Sequence, residues 1–112
     1  MTERNLLKHK YQVYDPRGHK YADKLYQKCF RCKHGPKKFY LNVYYYATKT
    51  WPNGTTSPGG FVAEANFYFH DRHKSWIELV IHDAKKWSVK RIEKFFNDFF
   101  ERNLCLPDIH NN

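Results

Sequence analysis

"FYLNVYYYATKT", residues 39–50, changes character at every step. Its odd positions are Phe39, Leu41, Val43, Tyr45 and Ala47; its even positions open Tyr40, Asn42, Tyr44 and Tyr46. Successive side chains of a strand point to opposite faces, so this period of two predicts a half-buried strand with its odd side in a core. "FVAEANFYFH" (61–70) and "WIELVIH" (76–82) repeat the parity, with Phe61, Ala63, Ala65, Phe67 and Phe69, then Ile77, Leu79 and Ile81. Turn chemistry separates the three: "WPNGTTSPGG" (51–60) and the polar "HDRHKS" (70–75). Three strands on such connections make an antiparallel meander.

The core face of that sheet needs a cover, and "SVKRIEKFFNDFFERN" (88–103) supplies one. Val89, Ile92, Phe95, Phe96, Phe99 and Phe100 form a stripe at helical spacing behind the N-cap residue Ser88. Pro107 ends any continuation. Upstream, "GHKYADKLYQKCFRC" (18–32) places Tyr21, Leu25 and Cys29 on one helical stripe and Tyr26 and Phe30 on a neighbouring one, so a helix is expected there. Residues 1–15 read as loose or extended against the body. The expectation is an α+β protein, compact as one domain: a three-stranded antiparallel sheet with a C-terminal helix on one face. A basic, partly helical arm (1–37) would precede a βββα body (38–112).

Charge is distributed unevenly. The chain has 112 residues and a formal net charge of +9. Residues 1–38 carry eleven Lys and Arg against three acids, a net +8, while the remaining residues carry nine against eight. A cationic third on a nearly neutral body points to a polyanionic partner: nucleic acid first, an acidic protein second. No run is long enough to span a membrane and no apolar leader opens the chain, so an intracellular protein, cytoplasmic or nuclear, is expected. Three cysteines, an odd number, suit reduced thiols better than a disulfide framework.

Phosphates attract cations, and unstacked bases need aromatic planes. Tyr11, Tyr14, Tyr21 and Tyr26 interleave with the basic residues of the first third. Candidate phosphate contacts are Lys28, Arg31, Lys33, Lys37 and Lys38, with Lys85, Lys86, Lys90 and Arg91 around the start of the last helix. Candidate base contacts, on the even face, are Tyr44, Tyr46, Tyr68 and Trp76. RNA is slightly favoured over DNA. The αβββα order resembles that of double-stranded RNA-binding domains, and Lys85-Lys86 followed by Lys90 is similar to the lysine cluster those domains use. The longer strands and the run of Phe in the last helix depart from that pattern.

Three other readings compete. The aromatic face suits a protein partner, as in an inhibitor or an accessory factor such as one of a mobile element. Glu64, Glu78, His70, His82 and Arg72 gather acid, base and cation on one surface, which a small ribonuclease would need. Asp83-Ala84-Lys85 has the D-x-K form of some metal-dependent nucleases, a very common pattern. The balance favours a protein without enzymatic activity. Zinc is the one cofactor the sequence raises: Cys29-x-x-Cys32 supplies two ligands, and Cys105 with His110, or His34 as an alternative, would complete four.

Overall fold

The computed structural model describes residues 1–16, 22–31, 38–68 and 76–103. The meander is present as β3 (Lys38–Tyr46), β6 (Gly60–Tyr68) and β7 (Trp76–Ile81), followed by α2 (Val89–Asn103). Before it come α1 (Glu3–Lys8), β1 (Gln12–Tyr14) and β2 (Lys24–Arg31). A two-stranded ribbon, β4 (Lys49–Thr50) with β5 (Thr56–Ser57), stands in the β3–β6 connection. The main sheet is five-stranded in the order β1-β2-β3-β6-β7, and each neighbouring pair is antiparallel. The protein is thus α+β with a C-terminal helix, but its sheet has five strands where three were expected.

The expected helix over 18–32 is replaced by strand β2. Helical spacing and alternation compete in this segment. Read as a strand, Tyr26 and Phe30 face the core with Lys28 between them, while Leu25, Gln27 and Cys29 face the other way, in register with β3. The helical reading requires Lys28 to be a surface residue. It is instead a core-facing residue whose ammonium lies 5.4 Å from the Tyr11 ring centroid and 5.0 Å from that of Phe30. Residues 1–15 are likewise ordered as α1 and β1 rather than loose. Thr2 caps α1, its Oγ1 accepting from the Asn5 N–H at 3.1 Å. Strand β2 therefore stands where the resemblance to double-stranded RNA-binding domains put a helix.

One face of the sheet carries the core. Phe39, Leu41, Val43, Phe61, Ala63 and Ala65 are buried there, as the parity predicts, beneath Val89, Ile92, Phe96 and Phe100 of α2. Ser88 caps α2 through its Oγ, which accepts from the Arg91 N–H at 3.1 Å. Phe39 stacks on Phe100, with ring centroids 4.4 Å apart. The first third contributes to the same core through Leu6, Tyr11 and Tyr26. Glu3 of α1 accepts from the Tyr26 hydroxyl at 2.6 Å and from the Lys24 ammonium at 3.0 Å. Both helices thus cover the core face. Among the described residues, no helix covers the opposite face, and none is long and apolar enough to cross a membrane.

Candidate functional site

The uncovered face is built by the even residues of β1, β3, β6 and β7 and the odd residues of β2. Register aligns one row across it: Gln12 opposite Gln27, Gln27 opposite Asn42, Asn42 opposite Glu64, and Glu64 opposite Val80. Neighbouring strands lie about 4.8 Å apart, so these polar groups form a continuous stripe. Gln27 donates from Nε2 to Asn42 Oδ1 at 2.8 Å, which orients both amides. Tyr14, Leu25, Tyr44 and Val62 form the next row on one side; Cys29, Tyr40 and Asn66 form the row on the other. Tyr40 is 44% exposed and Tyr14 45%, so both offer ring surface to solvent.

Tyr44 is different. It is only 5% exposed, and its hydroxyl donates to Glu64 Oε1 at 3.1 Å. Burial first, and the Glu64 charge second, push its phenol far above the usual tyrosine range. The same two causes raise Tyr46. Tyr44 is therefore a neutral donor that holds Glu64, and it presents little ring area. Of the expected base contacts, Tyr46 is half-buried at the end of β3. Tyr68 and Trp76 pair across β6 and β7 at positions of the uncovered face.

The expected cations divide. Lys28 belongs to the opposite face. Its ammonium donates to Glu93 Oε2 at 3.0 Å, and the Tyr11 hydroxyl donates to the same oxygen at 3.0 Å. Burial and the Glu93 carboxylate drive the Tyr11 phenol well above its ordinary range. Lys28 is thus taken up in the helix–sheet interface. Arg31 and Lys38 pair across β2 and β3, both exposed, at one end of the uncovered face. The Lys38 ammonium lies 5.9 Å from the Tyr40 ring centroid. Lys85, Lys86, Lys90 and Arg91 are exposed near the start of α2, beyond the opposite end of β3. Arg91 stacks on Trp87 at 4.0 Å. Lys33 and Lys37 lie outside the described residues.

Four acids are paired within the fold: Glu3 with Lys24, Asp23 with Lys49, Glu93 with Lys28, and Asp98 with Lys94. Arg31, Lys38, Lys85, Lys86 and Lys90 carry no acid partner among the described residues. Unpaired cations thus stand at both ends of the sheet.

For the ribonuclease set, register puts Glu64 opposite Val80, two residues before His82, while Glu78 stands opposite Asn66. His70 and Arg72 lie outside the described residues. For the zinc set, Cys29 is exposed on the uncovered face opposite Tyr40. Cys32, His34, Cys105 and His110 lie outside the described residues. No three of the described His, Cys, Asp and Glu residues stand together as a metal group.

Two adjoining clefts open where β3 ends. One of about 320 Å³ is lined by Tyr46, Ala47, Lys49, Trp51, Ser57 and Pro58. Another of about 430 Å³ shares Tyr46 and Pro58 and continues past Gly59 and Gly60 to His82, Asp83 and Lys85. A smaller cleft of about 140 Å³ lies between Lys10, Gln12, Tyr14, Gln27, Cys29 and Tyr40, with Lys28 beneath. Sequence reasoning missed Gln12, Gln27 and Trp51, and named Tyr14 without placing it on the sheet. Gln12, Tyr14 and Gln27 required β1 and β2 to be read as strands, and the alternation in "KLYQKCFR" was the available signal. Trp51 was passed over as part of a turn.

Comparison with protein-family models, with curated proteins and with solved structures found no match.

Proposed function

We propose that this protein binds single-stranded nucleic acid, RNA in preference to DNA, across the uncovered face of its sheet, without catalysing a reaction. One observation carries the reading. Among the described residues, helices cover one side of the sheet only, and the other side combines exposed tyrosines, oriented amides and end cations without an acid partner. A flat face with π-surfaces and hydrogen-bonding edges suits splayed bases. Cations at its ends suit the phosphates that leave it. Glu64 and Glu78 on the face disfavour phosphate there, so the bases meet the face and the backbone passes over its ends. Arg31 and Lys38 are the first phosphate contacts, with Lys33 and Lys37 between them in sequence. Lys28 is withdrawn from that role because its charge is committed to Glu93.

The test is fluorescence anisotropy of end-labelled RNA and DNA strands and of an RNA duplex, titrated from about 50 to 300 mM salt. Log affinity for single strands should fall linearly with log salt. Arg31→Ser and Lys38→Ser should each lower the slope by roughly 0.7, the single-strand value per phosphate contact. The labelled RNA should be recovered intact. Absence of salt-sensitive binding would refute the proposal and turn the search to a protein partner for the face. Cleavage that depends on Glu64 or His82 would favour a ribonuclease instead.

A further inference from the structure

The ribbon between β3 and β6 has a feature its role as a connection does not explain. Trp51 stands at its turn, 47% exposed, and does not belong to the core. An exposed indole on a loose loop would be unremarkable, but this one is braced. Its N–H donates from Nε1 to Ser57 Oγ at 2.8 Å. Its backbone N–H donates to the Thr55 carbonyl at 2.8 Å, and Gly54 returns a bond to the Trp51 carbonyl at 2.9 Å. Asn53 Oδ1 accepts from the Thr55 N–H at 3.0 Å. Gly54 closes the turn at a positive φ of 88°, a conformation glycine adopts without strain. The polar edge of the indole is satisfied within the ribbon, and nearly half of the residue is left to solvent.

This side chain walls the cleft that also holds Tyr46, Lys49 and Pro58. At about 320 Å³ the cleft is at the small end of ligand pockets. Tyr46 belongs both to the cleft and to the uncovered face, so a strand leaving the face at that end meets the cleft next. Lys49 on the wall, 3.7 Å from Asp23, disfavours a cationic occupant. The neighbouring cleft has a different character: it is lined by Gly59 and Gly60, His82, Asp83 and Lys85. Asp83 makes it a poor seat for a phosphate alone. A sugar hydroxyl donates to a carboxylate, and Lys85 stands beside it for the phosphate that follows.

We infer that the Tyr46–Trp51–Pro58 cleft seats one unstacked base of a bound single strand, whose sugar and phosphate run on into the cleft of Asp83 and Lys85. This inference rests on the reading of the uncovered face as a nucleic-acid surface. Trp51 is the stacking plane, and its bracing lowers the ordering cost of capture. The seat is tolerant of base identity, because every base has a π-face.

The test uses the full chain and an end-labelled RNA strand of about 12 nucleotides, within the range one small sheet domain covers. Trp51→Ala should weaken binding about 5- to 100-fold, as loss of one base–aromatic stack does. Trp51→Phe should retain part of the affinity. Neither change should alter the salt slope, because neither removes a charge. In a separate arm, a strand carrying 4-thiouridine is irradiated with the unaltered protein, and its cross-link should map to residues 46–58. Trp51→Ala binding as tightly as the parent, or cross-links confined to other segments, would overturn the inference. If binding then still depends on Arg31 and Lys38, the surface reading stands and this seat alone falls. If no single strand binds the full chain, both fall together.

Discussion

Replacing Lys28 with alanine should destabilise the fold by about 2 kcal/mol and leave the salt dependence of nucleic-acid binding unchanged. The magnitude follows from its surroundings. Its ammonium donates to Glu93 Oε2 at 3.0 Å, with the two side chains 27% and 15% exposed. A hydrogen bond to a charged group contributes about 1.5–3 kcal/mol when well buried. Partial exposure pulls this pair towards the roughly 1 kcal/mol of a surface bridge. The Tyr11 and Phe30 rings, at 5.4 and 5.0 Å, add about 0.5 kcal/mol each as cation–π contacts. Removal also leaves Glu93 accepting from the Tyr11 hydroxyl without the neighbouring ammonium. Urea unfolding followed by tryptophan fluorescence measures the change. With a slope near 2 kcal/mol/M, the midpoint should fall by about 1 M with the slope preserved. Glu93→Gln should be similarly costly, and the double variant should cost less than the sum, with about 1 kcal/mol of coupling. Lys28→Ala with unchanged stability and a salt slope reduced by about 0.7 would refute the reasoning, because Lys28 would then be a phosphate contact.

Gly59→Ala should destabilise by about 1–3 kcal/mol in thermal melts, since a new Cβ would meet the Tyr46 carbonyl oxygen and lie 2.8 Å from the Thr48 nitrogen, both rigid backbone. It should also weaken strand binding at the clefts that Gly59 adjoins. Glu3 has its carboxyl held below the ordinary value of 4.5 by the Tyr26 hydroxyl and then by Lys24. Its contribution is therefore present above that value and lost as pH falls through the depressed one, so Glu3→Gln should flatten the acid limb of the stability–pH curve below pH about 4.5. Tyr11, Tyr26 and Tyr44 are raised by burial and then by Glu93, Glu3 and Glu64 respectively. Their stabilisation is full below the unfolded tyrosine value of about 10 and fades above it, so phenolate absorbance should rise late, together with alkaline unfolding.

Local alternation was enough to place the meander. In 39–46, 61–68 and 76–81 each residue's side of the sheet follows from parity, because a strand buried on one face needs a period of two whatever it pairs with. The helix at 89–103 was legible for the same reason, its apolar stripe being wide and continuous. The segment 24–31 was not legible in this way. It satisfies two periods at once, and the choice between them depends on a lysine whose partner, Glu93, lies 65 residues away. The candidate site divides along the same line. Arg31 and Lys38 could be named in advance as cations, and Tyr46 as an aromatic on a strand. Lys28 could not be removed from the set, nor Tyr44 recognised as a clamp on Glu64, until chain-distant groups were brought within hydrogen-bonding distance.

What the sequence determined alone was therefore periodic: the three strands of the meander and the C-terminal helix, which side of each is apolar, and that cations outnumber acids. Tertiary structure decided which charges remain available, which sheet face stays open, and that a turn tryptophan walls a cleft beside Tyr46. Periodicity is a property of neighbouring residues and is written locally. Pairing and exposure depend on where distant elements pack, and only the assembled sheet and helices set those distances.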